Sequence, residues 1–215
     1  MKKFITKTLI FAICICGILV PSNVKAIEPV YNGINNDEYI VTRITDEQGI
    51  KEYLEEMGEE YDPNLLEVYR IEQEVSKENT NISSNTRGIF SCEYFIKNKK
   101  IETKTDTSKL LKQYNRPAGI ISINESVSIS NTYNVSGKVT VKILEAQLGY
   151  SLTETKNYSI SWSNTFTEAV TIKIFPVYEV TTGEVWEDDV FFDDNIGSFT
   201  AKRAVGDDIR VYSQN

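Results

Sequence analysis

Between Ile121 and Ile174 one alternating pattern is written twice with its parity reversed, and few arrangements of a chain can use it. In the first half the large apolar residues fall on odd numbers: Ile121, Ile123, Val127, Ile129, Tyr133, Val135, Val139, Val141 and Ile143. Hydroxyl residues take even ones: Ser122, Ser126, Ser128, Ser130, Thr132, Ser136 and Thr140. In the second half the apolar set is even, with Tyr150, Leu152, Tyr158, Ile160, Trp162, Phe166, Val170, Ile172 and Ile174. The hydroxyls are now odd: Ser151, Thr153, Ser159, Ser161, Ser163, Thr165 and Thr171. Successive side chains on a strand point to opposite faces, so each half has one apolar face and one hydroxyl face. Reversed parity is what an antiparallel hairpin requires. A tip near 144–149 pairs Ile143 with Tyr150, Val141 with Leu152, Val135 with Tyr158, Tyr133 with Ile160 and Val127 with Phe166. In that register Ile129 faces Asn164 and Val139 faces Glu154. A slip of two residues keeps the faces but loses more apolar pairs, which makes this register the preferred one.

Each arm of such a hairpin runs to about 20 residues, against about 5–6 for the commonest strand length. A tilted strand crosses a bilayer in about 9–11 residues. The hairpin can therefore line a water-filled barrel with hydroxyls and show its alternate residues to lipid. It can equally cover a soluble core on one side and face water on the other.

Residues 1–26 read as a secretory leader and not as part of the fold. Met1-Lys2-Lys3 and Lys7 form a basic start, Leu9 to Val20 an apolar stretch, and Val24-Lys25-Ala26 a small-residue cleavage site. The apolar stretch is too short for a transmembrane helix. Cys14 and Cys16 lie in its middle, after Ile13 and Ile15, which is wrong for a lipoprotein signal. The chain is expected to be secreted and extracellular, and its short lysine-rich leader looks bacterial. The triplets at Asn81, Asn124 and Asn134 that fit a glycosylation pattern therefore carry no weight.

Cleavage removes four lysines and no acids, leaving 19 basic against 31 acidic residues. That balance disfavours nucleic acid and passive adsorption to anionic lipid, both of which select Lys/Arg-rich surfaces. Histidine is absent, which excludes Ser-His-Asp and Cys-His catalysis and His-ligated zinc. One cysteine remains after cleavage, Cys92, on an apolar alternation with Phe90, Tyr94 and Ile96 that reads as core. No catalytic constellation is visible, and the chain is expected not to be an enzyme.

Charge divides the rest. Residues 27–75 carry 14 acids and three basic residues, residues 76–183 nine and 13, and residues 184–215 eight and three. The stretch 27–75 reads as an acidic helical segment. Thr45-Asp46-Glu47-Gln48 has capping-box spacing, and Ile50, Tyr53, Leu54 and Met57 recur at helical spacing up to Gly58. Asp62-Pro63 reads as the start of a second short helix through Leu66 and Tyr69. Residues 76–88 read as a linker, and 89–215 as a β domain. The acidic segment either packs on that domain by its apolar stripe or masks the more basic region. In the β domain a strand at 89–97 leads into a basic loop (Lys97, Lys99, Lys100, Lys104). Beyond the hairpin a strand continues to Val180, with a bulge or sheet edge at Pro176, then a turn at Thr182-Gly183. Two short strands, 196–202 and 208–213, close the chain around Gly206.

Asp188, Asp189, Asp193 and Asp194 crowd around Val190-Phe191-Phe192. Several carboxylates on adjacent loops are what calcium wants, although the spacing matches no standard calcium loop. The same acids would equally keep the two phenylalanines soluble beside a sheet edge. The 12 tyrosines mostly lie on the apolar parity of their strands, which makes them core.

A Ser/Thr-rich alternating segment that turns back on itself, Ser126–Lys142 and Ser151–Thr167, followed by Val170–Val177 with its apolar-Pro-apolar step, resembles the insertion region of aerolysin and epsilon-toxin type β-pore-forming toxins. The stretch Glu187–Tyr212 is also similar to small exported proteins of spore-forming bacteria. The first resemblance implies an elongated antiparallel sheet or sandwich, with the hairpin stowed against it and released after self-assembly at a membrane. It implies that Val127, Ile129, Tyr133, Val135, Val139, Val141, Ile143, Tyr150, Leu152, Tyr158, Ile160, Trp162 and Phe166 would face lipid. Ser128, Ser130, Thr132, Ser136, Thr140, Ser151, Thr153, Ser159, Ser161, Ser163 and Thr165 would line the pore. The competing expectation is a secreted β-sandwich module that binds a surface, sugar or protein ligand.

Overall fold

The computed structural model describes residues 39–73, 93–188 and 192–214. The leader, the 76–88 linker and Cys92 lie outside them. The described chain is mainly β and antiparallel. Its spine is a hairpin of two long strands, β8 (Val170–Asp188) and β9 (Asp193–Ser213). On the free side of β9 lie β2 (Leu65–Gln73) and, further along, β6 (Thr132–Val135), with β1 (Tyr39–Ile44) outside β2. On the free side of β8 lie β3 (Glu93–Thr105) and β4 (Lys112–Arg116). These seven strands form one sheet, and β5 (Gly119–Ser130) and β7 (Thr155–Phe166) form a second of two strands.

The alternation of β8 shows how the layers stack. Val170, Ile172, Ile174 and Tyr178 face the two-stranded ribbon in one core, together with Ile209 and Val211 of β9 and Tyr69 and Ile71 of β2. The opposite parity, Thr181 and Val185, belongs to the other face, where Val185 joins Phe199 and Ala201 beneath helix α2 (Val141–Leu148). A third cluster lies under helix α1 (Glu47–Met57), where Ile50, Tyr53 and Leu54 meet Leu65 and Val68. Helix α1 starts at Asp46, whose side chain accepts from the Gly49 amide at 2.8 Å, one residue beyond the Thr45 cap expected from sequence. It ends at Gly58 in the left-handed region (φ 71°), with the Glu59 amide donating back to Leu54 O at 2.8 Å.

Several sequence expectations change here. The second helix after Pro63 is instead β2, because its Leu65, Val68, Tyr69 and Ile71 are buried between β1 and β9 and both helices and sheets can use that apolar run. The acidic stretch therefore contributes two strands to the main sheet as well as a helix. The basic loop at Lys97–Lys104 is strand β3, with a register shift between Lys97 and Lys100. No turn interrupts Thr182-Gly183, since β8 runs through to Asp188. Pro176 sits inside β8 where its neighbour changes from β4 to β3. The Asp106 amide donates to Pro176 O at 2.9 Å from the connection between them, so the missing proline N–H breaks no ladder, and a bulge comes next at Val177/Tyr178. The two closing strands are one, β9, which passes through Gly206. A Cβ there would stand 1.8 Å from Ile71 O of β2, so only glycine lets the strands approach.

Candidate functional site

The hairpin read from sequence is the largest correction. β5 pairs with β7, but Ile123 faces Trp162, Val127 faces Tyr158 and Ile129 faces Lys156, in place of the Val127–Phe166 register. Each arm is 12 residues long. Between them the chain leaves the ribbon. β6 pairs Tyr133 with Ala201 and Val135 with Phe199 of β9, and α2 occupies the stretch taken for the far arm and the tip. Thr140 caps α2 by accepting from the Ile143 amide at 3.4 Å, and Gly149 ends it in the left-handed region (φ 77°). Val141, Leu144 and Leu148 supply a helical stripe over the Phe199 cluster, so this segment satisfies both periodicities and tertiary burial selects the helix. Accordingly Ile143 does not face Tyr150, nor Val141 Leu152.

The faces of the ribbon are as the parity requires. Ile121, Ile123, Val127, Ile129, Tyr158, Ile160, Trp162 and Phe166 are buried against the main sheet. Trp162 lies edge-on to Tyr69 at 5.4 Å and stacks near Phe166 at 6.1 Å. The other face carries a ladder of uncharged polar pairs: Ser122 with Ser163, Asn124 with Ser161, Ser126 with Ser159, Ser128 with Asn157 and Ser130 with Thr155. Four of these pairs are hydrogen-bonded side chain to side chain at 2.6–3.0 Å. Asn124, Asn157 and Thr155 complete the ladder. Hydroxyl counting by parity missed the two asparagines, although their positions have the right parity. Thr165 continues this face beside Ile120, an isoleucine left 80 % exposed.

Polar contacts pin the ribbon to its neighbours. Asn164 Nδ2 donates to Glu67 Oε2 at 2.9 Å and to Tyr69 Oη at 3.0 Å, and Lys156 Nζ donates to Gln73 Oε1 at 3.1 Å. Glu125, the one acid on the buried face of β5, pairs with Lys112 of β4 at 3.2 Å. Tyr158 Oη is buried and has no hydrogen-bond partner among the described residues. Burial raises its pKa, and the nearby Tyr39 and Asp207 push the same way.

The remaining expected site residues separate into two places. Val135, Val139, Val141, Ile143, Tyr150 and Leu152 are buried or half-buried around α2, while Tyr133 is exposed. Thr132, Ser136, Thr140, Ser151 and Thr153 are exposed, of which only Thr132 lies on a strand and Thr140 is the cap of α2. Ser136 Oγ lies 2.9 Å from Ser198 Oγ of β9.

Asp188, Asp193 and Asp194 are exposed near the end of the β8–β9 hairpin, where Asp193 pairs with Lys97 at 3.1 Å, and Asp189 lies outside the described residues. Among the described residues no three His, Cys, Asp or Glu side chains converge to hold a metal ion.

A polar network missed by sequence reading joins α1 to the sheet. Arg210 grips Glu59 with two bonds of 2.6 and 2.9 Å and donates to Asp208 at 3.0 Å, and Tyr53 donates to Asp208 at 2.8 Å. Burial opposes the Arg210 charge, yet the Glu59 bonds and the Asp208 charge raise its pKa overall. Arg70 donates to Tyr53 Oη at 3.3 Å and to Glu72.

No family model matches this chain, and neither the curated proteins nor the solved structures contain a match. No helix among the described residues is long and apolar enough to cross a membrane.

Proposed function

We propose that this protein is a secreted, non-enzymatic, membrane-inserting protein of the β-pore-forming kind, whose β5–β7 ribbon enters the bilayer after copies of the chain assemble. The observation that carries this is the ribbon itself: a separate two-stranded sheet with one apolar face stowed and one uncharged hydroxyl–amide face bare. Apart from Glu125, Lys156 and Asn164 on its apolar face, such a ribbon has the in–out alternation of a barrel wall. Its 12-residue arms exceed the roughly 9–11 residues a tilted spanning strand needs.

The register of the ribbon supports the reading further. Past Ser130 and Thr155 the Asn131 amide still donates to Glu154 O at 2.8 Å. Continuing the same register would pair Thr132 with Thr153, Tyr133 with Leu152, Asn134 with Ser151 and Val135 with Tyr150. Apolar would meet apolar and polar would meet polar. β6 and the stretch 150–153 could thus zip onto the ribbon and lengthen it by these four pairs without a slip.

Two disulfides test this in a Cys92→Ser background. Ser136→Cys with Ser198→Cys ties the excursion to β9, where the native hydroxyls are 2.9 Å apart. Ser122→Cys with Ser163→Cys ties the ribbon in its own register, where they are 3.0 Å apart. Dye release from liposomes, before and after limited proteolysis, should be lost with the first disulfide, return on reduction, and survive the second. Release unaffected by the first disulfide, or no release from any form, overturns the proposal.

The bare ladder also favours a second reading, a secreted module that binds a surface, sugar or protein ligand through those hydroxyls and amides. In that reading membranes leave the ribbon where it is. A polarity-sensitive dye at Val135→Cys then reports the same environment with and without lipid.

A further inference from the structure

At the end of the β8–β9 hairpin the chain reverses beyond Asp188 and Asp193, the last residues that pair. Phe192 stands there 82 % exposed, the barest large apolar side chain among the described residues. Further aromatic residues lie just behind it on both faces of the sheet. Phe95 of β3 is directly opposite Trp186 of β8, so the two share one face. Tyr94, the residue before Phe95, turns to the other face and packs against the cluster under α2. All three rings are half-buried. Trp186 Nε1 donates to Glu184 Oε2 at 3.1 Å, and Tyr94 Oη donates to Glu187 Oε1 at 3.2 Å. Lys97 holds its ammonium 4.0 Å from the Trp186 ring and 5.0 Å from the Phe95 ring, and pairs with Asp193 at 3.1 Å. Glu93, Glu187, Asp188 and Asp194 add negative charge beside these rings.

We propose that this hairpin end is where the protein first touches a membrane, and that it seats in the headgroup layer of a zwitterionic bilayer. Trp and Tyr are the rings that gather at membrane–water interfaces, because each joins an apolar body to a polar edge. Here they girdle the hairpin end, with Phe192 ahead of them. Shape and charge select the partner. One ring on the convex end of a hairpin offers far less than the roughly 800 Å² per partner that a specific protein interface uses. A fluid headgroup layer closes around such a point. The carboxylates beside the rings repel anionic lipid, whose surface attracts lysine-rich segments instead. The ribbon ends beside Tyr178, whose Oη donates to Ser130 O, and the hairpin end lies further along β8. Contact and insertion therefore use separate elements. The inference rests on the membrane-inserting reading and adds to it the place of first contact, which is measurable without any pore.

The test is co-sedimentation of the purified protein with phosphatidylcholine vesicles, and with vesicles that also carry phosphatidylserine, at low and high salt. Phe192→Asp should bind at least about tenfold more weakly, which is what burial of a phenylalanine side chain supplies. Phe192→Trp should bind as the unmodified protein does, and its added tryptophan should shift emission to the blue on mixing with lipid. Ile40→Asp, on β1 and 53 % exposed in the unmodified protein, should leave binding unchanged. Phosphatidylserine should weaken binding at low salt and cease to do so at high salt, because screening shortens the reach of the carboxylates. Binding untouched by Phe192→Asp, lost equally in Ile40→Asp, or strengthened by phosphatidylserine overturns the inference. Retention on an insoluble polysaccharide by a protein that no vesicle binds overturns it too. Dye release that persists in Phe192→Asp sinks the hairpin contact and leaves the pore reading standing. Phe192-dependent binding without dye release does the reverse.

Discussion

Arg210 and Asp208 are buried side by side on β9, where an ion pair survives only with every partner in place. Replacing Arg210 with methionine keeps the volume and leaves Asp208 and Glu59 without their shared cation. Breaking a buried pair in this way costs about 3–5 kcal/mol, and a urea unfolding midpoint would show it. Tyr53 joins the same network, and its pKa is pushed up to about 12, first by burial and then by the Asp208 charge. An unfolded tyrosine ionises near about 10, so the folded state holds this proton more tightly. The stability it contributes is complete below about pH 10 and is lost as pH rises through the folded value. Tyr69 shifts the same way, by burial and the Glu67 carboxylate. Unfolding free energy should therefore be insensitive to these phenols up to about pH 10 and fall beyond it, and Tyr53→Phe should flatten that fall. An equally steep alkaline decline in the phenylalanine variant would show that Tyr53 is not part of it.

At the scale of elements, the ribbon and the sheet meet through Trp162, which is 2 % exposed between Tyr69 and Phe166. Trp162→Ala should cost about 3–5 kcal/mol and raise hydrogen exchange across β5 and β7. The pairing of β2 with β9 depends instead on Gly206. Gly206→Ala would force Cβ against Ile71 O, and overpacking of this kind costs about 1–3 kcal/mol or more. Its signature should be lost amide protection in β1 and β2 with protection retained in β5 and β7. Uniform loss over both sheets would mean that they unfold as one unit.

For the whole molecule, the placement of β2 decides what a cut in the linker can do. Sequence reading places trypsin sites near Lys77 and Arg87 and expects a folded core beginning near Gly88. In the structure β2 lies between β1 and β9, and its Tyr69 and Ile71 belong to the core under the ribbon. A chain cut there should stay together, with both fragments co-eluting on gel filtration until urea is added. A chain beginning at Gly88 lacks β2, α1 and the Glu59 partner of Arg210, and should be insoluble or unfolded. A soluble, monomeric product with a cooperative melting transition would show the acidic segment to be dispensable.

Sequence alone determined which face each residue of the ribbon takes, because alternation across a strand is local and the apolar residues must be buried. It also determined α1, whose stripe and stop glycine lie within one short segment, and missed its cap by one residue. Tertiary structure decided the register, since every slip of two residues preserves parity and only packing against Tyr69, Ile172 and Ile209 distinguishes one from another. It decided that 141–148 is helix, because that segment carries both periods and the Phe199 cluster was there to cover. It made 65–73 a strand for the same reason, the vacant edge of β9 outweighing a helix signal at Pro63. The Arg210–Asp208–Glu59–Tyr53 network leaves no mark on the sequence. Tyr53 and Asp208 stand 155 positions apart along the chain and meet only when β9 passes beneath α1.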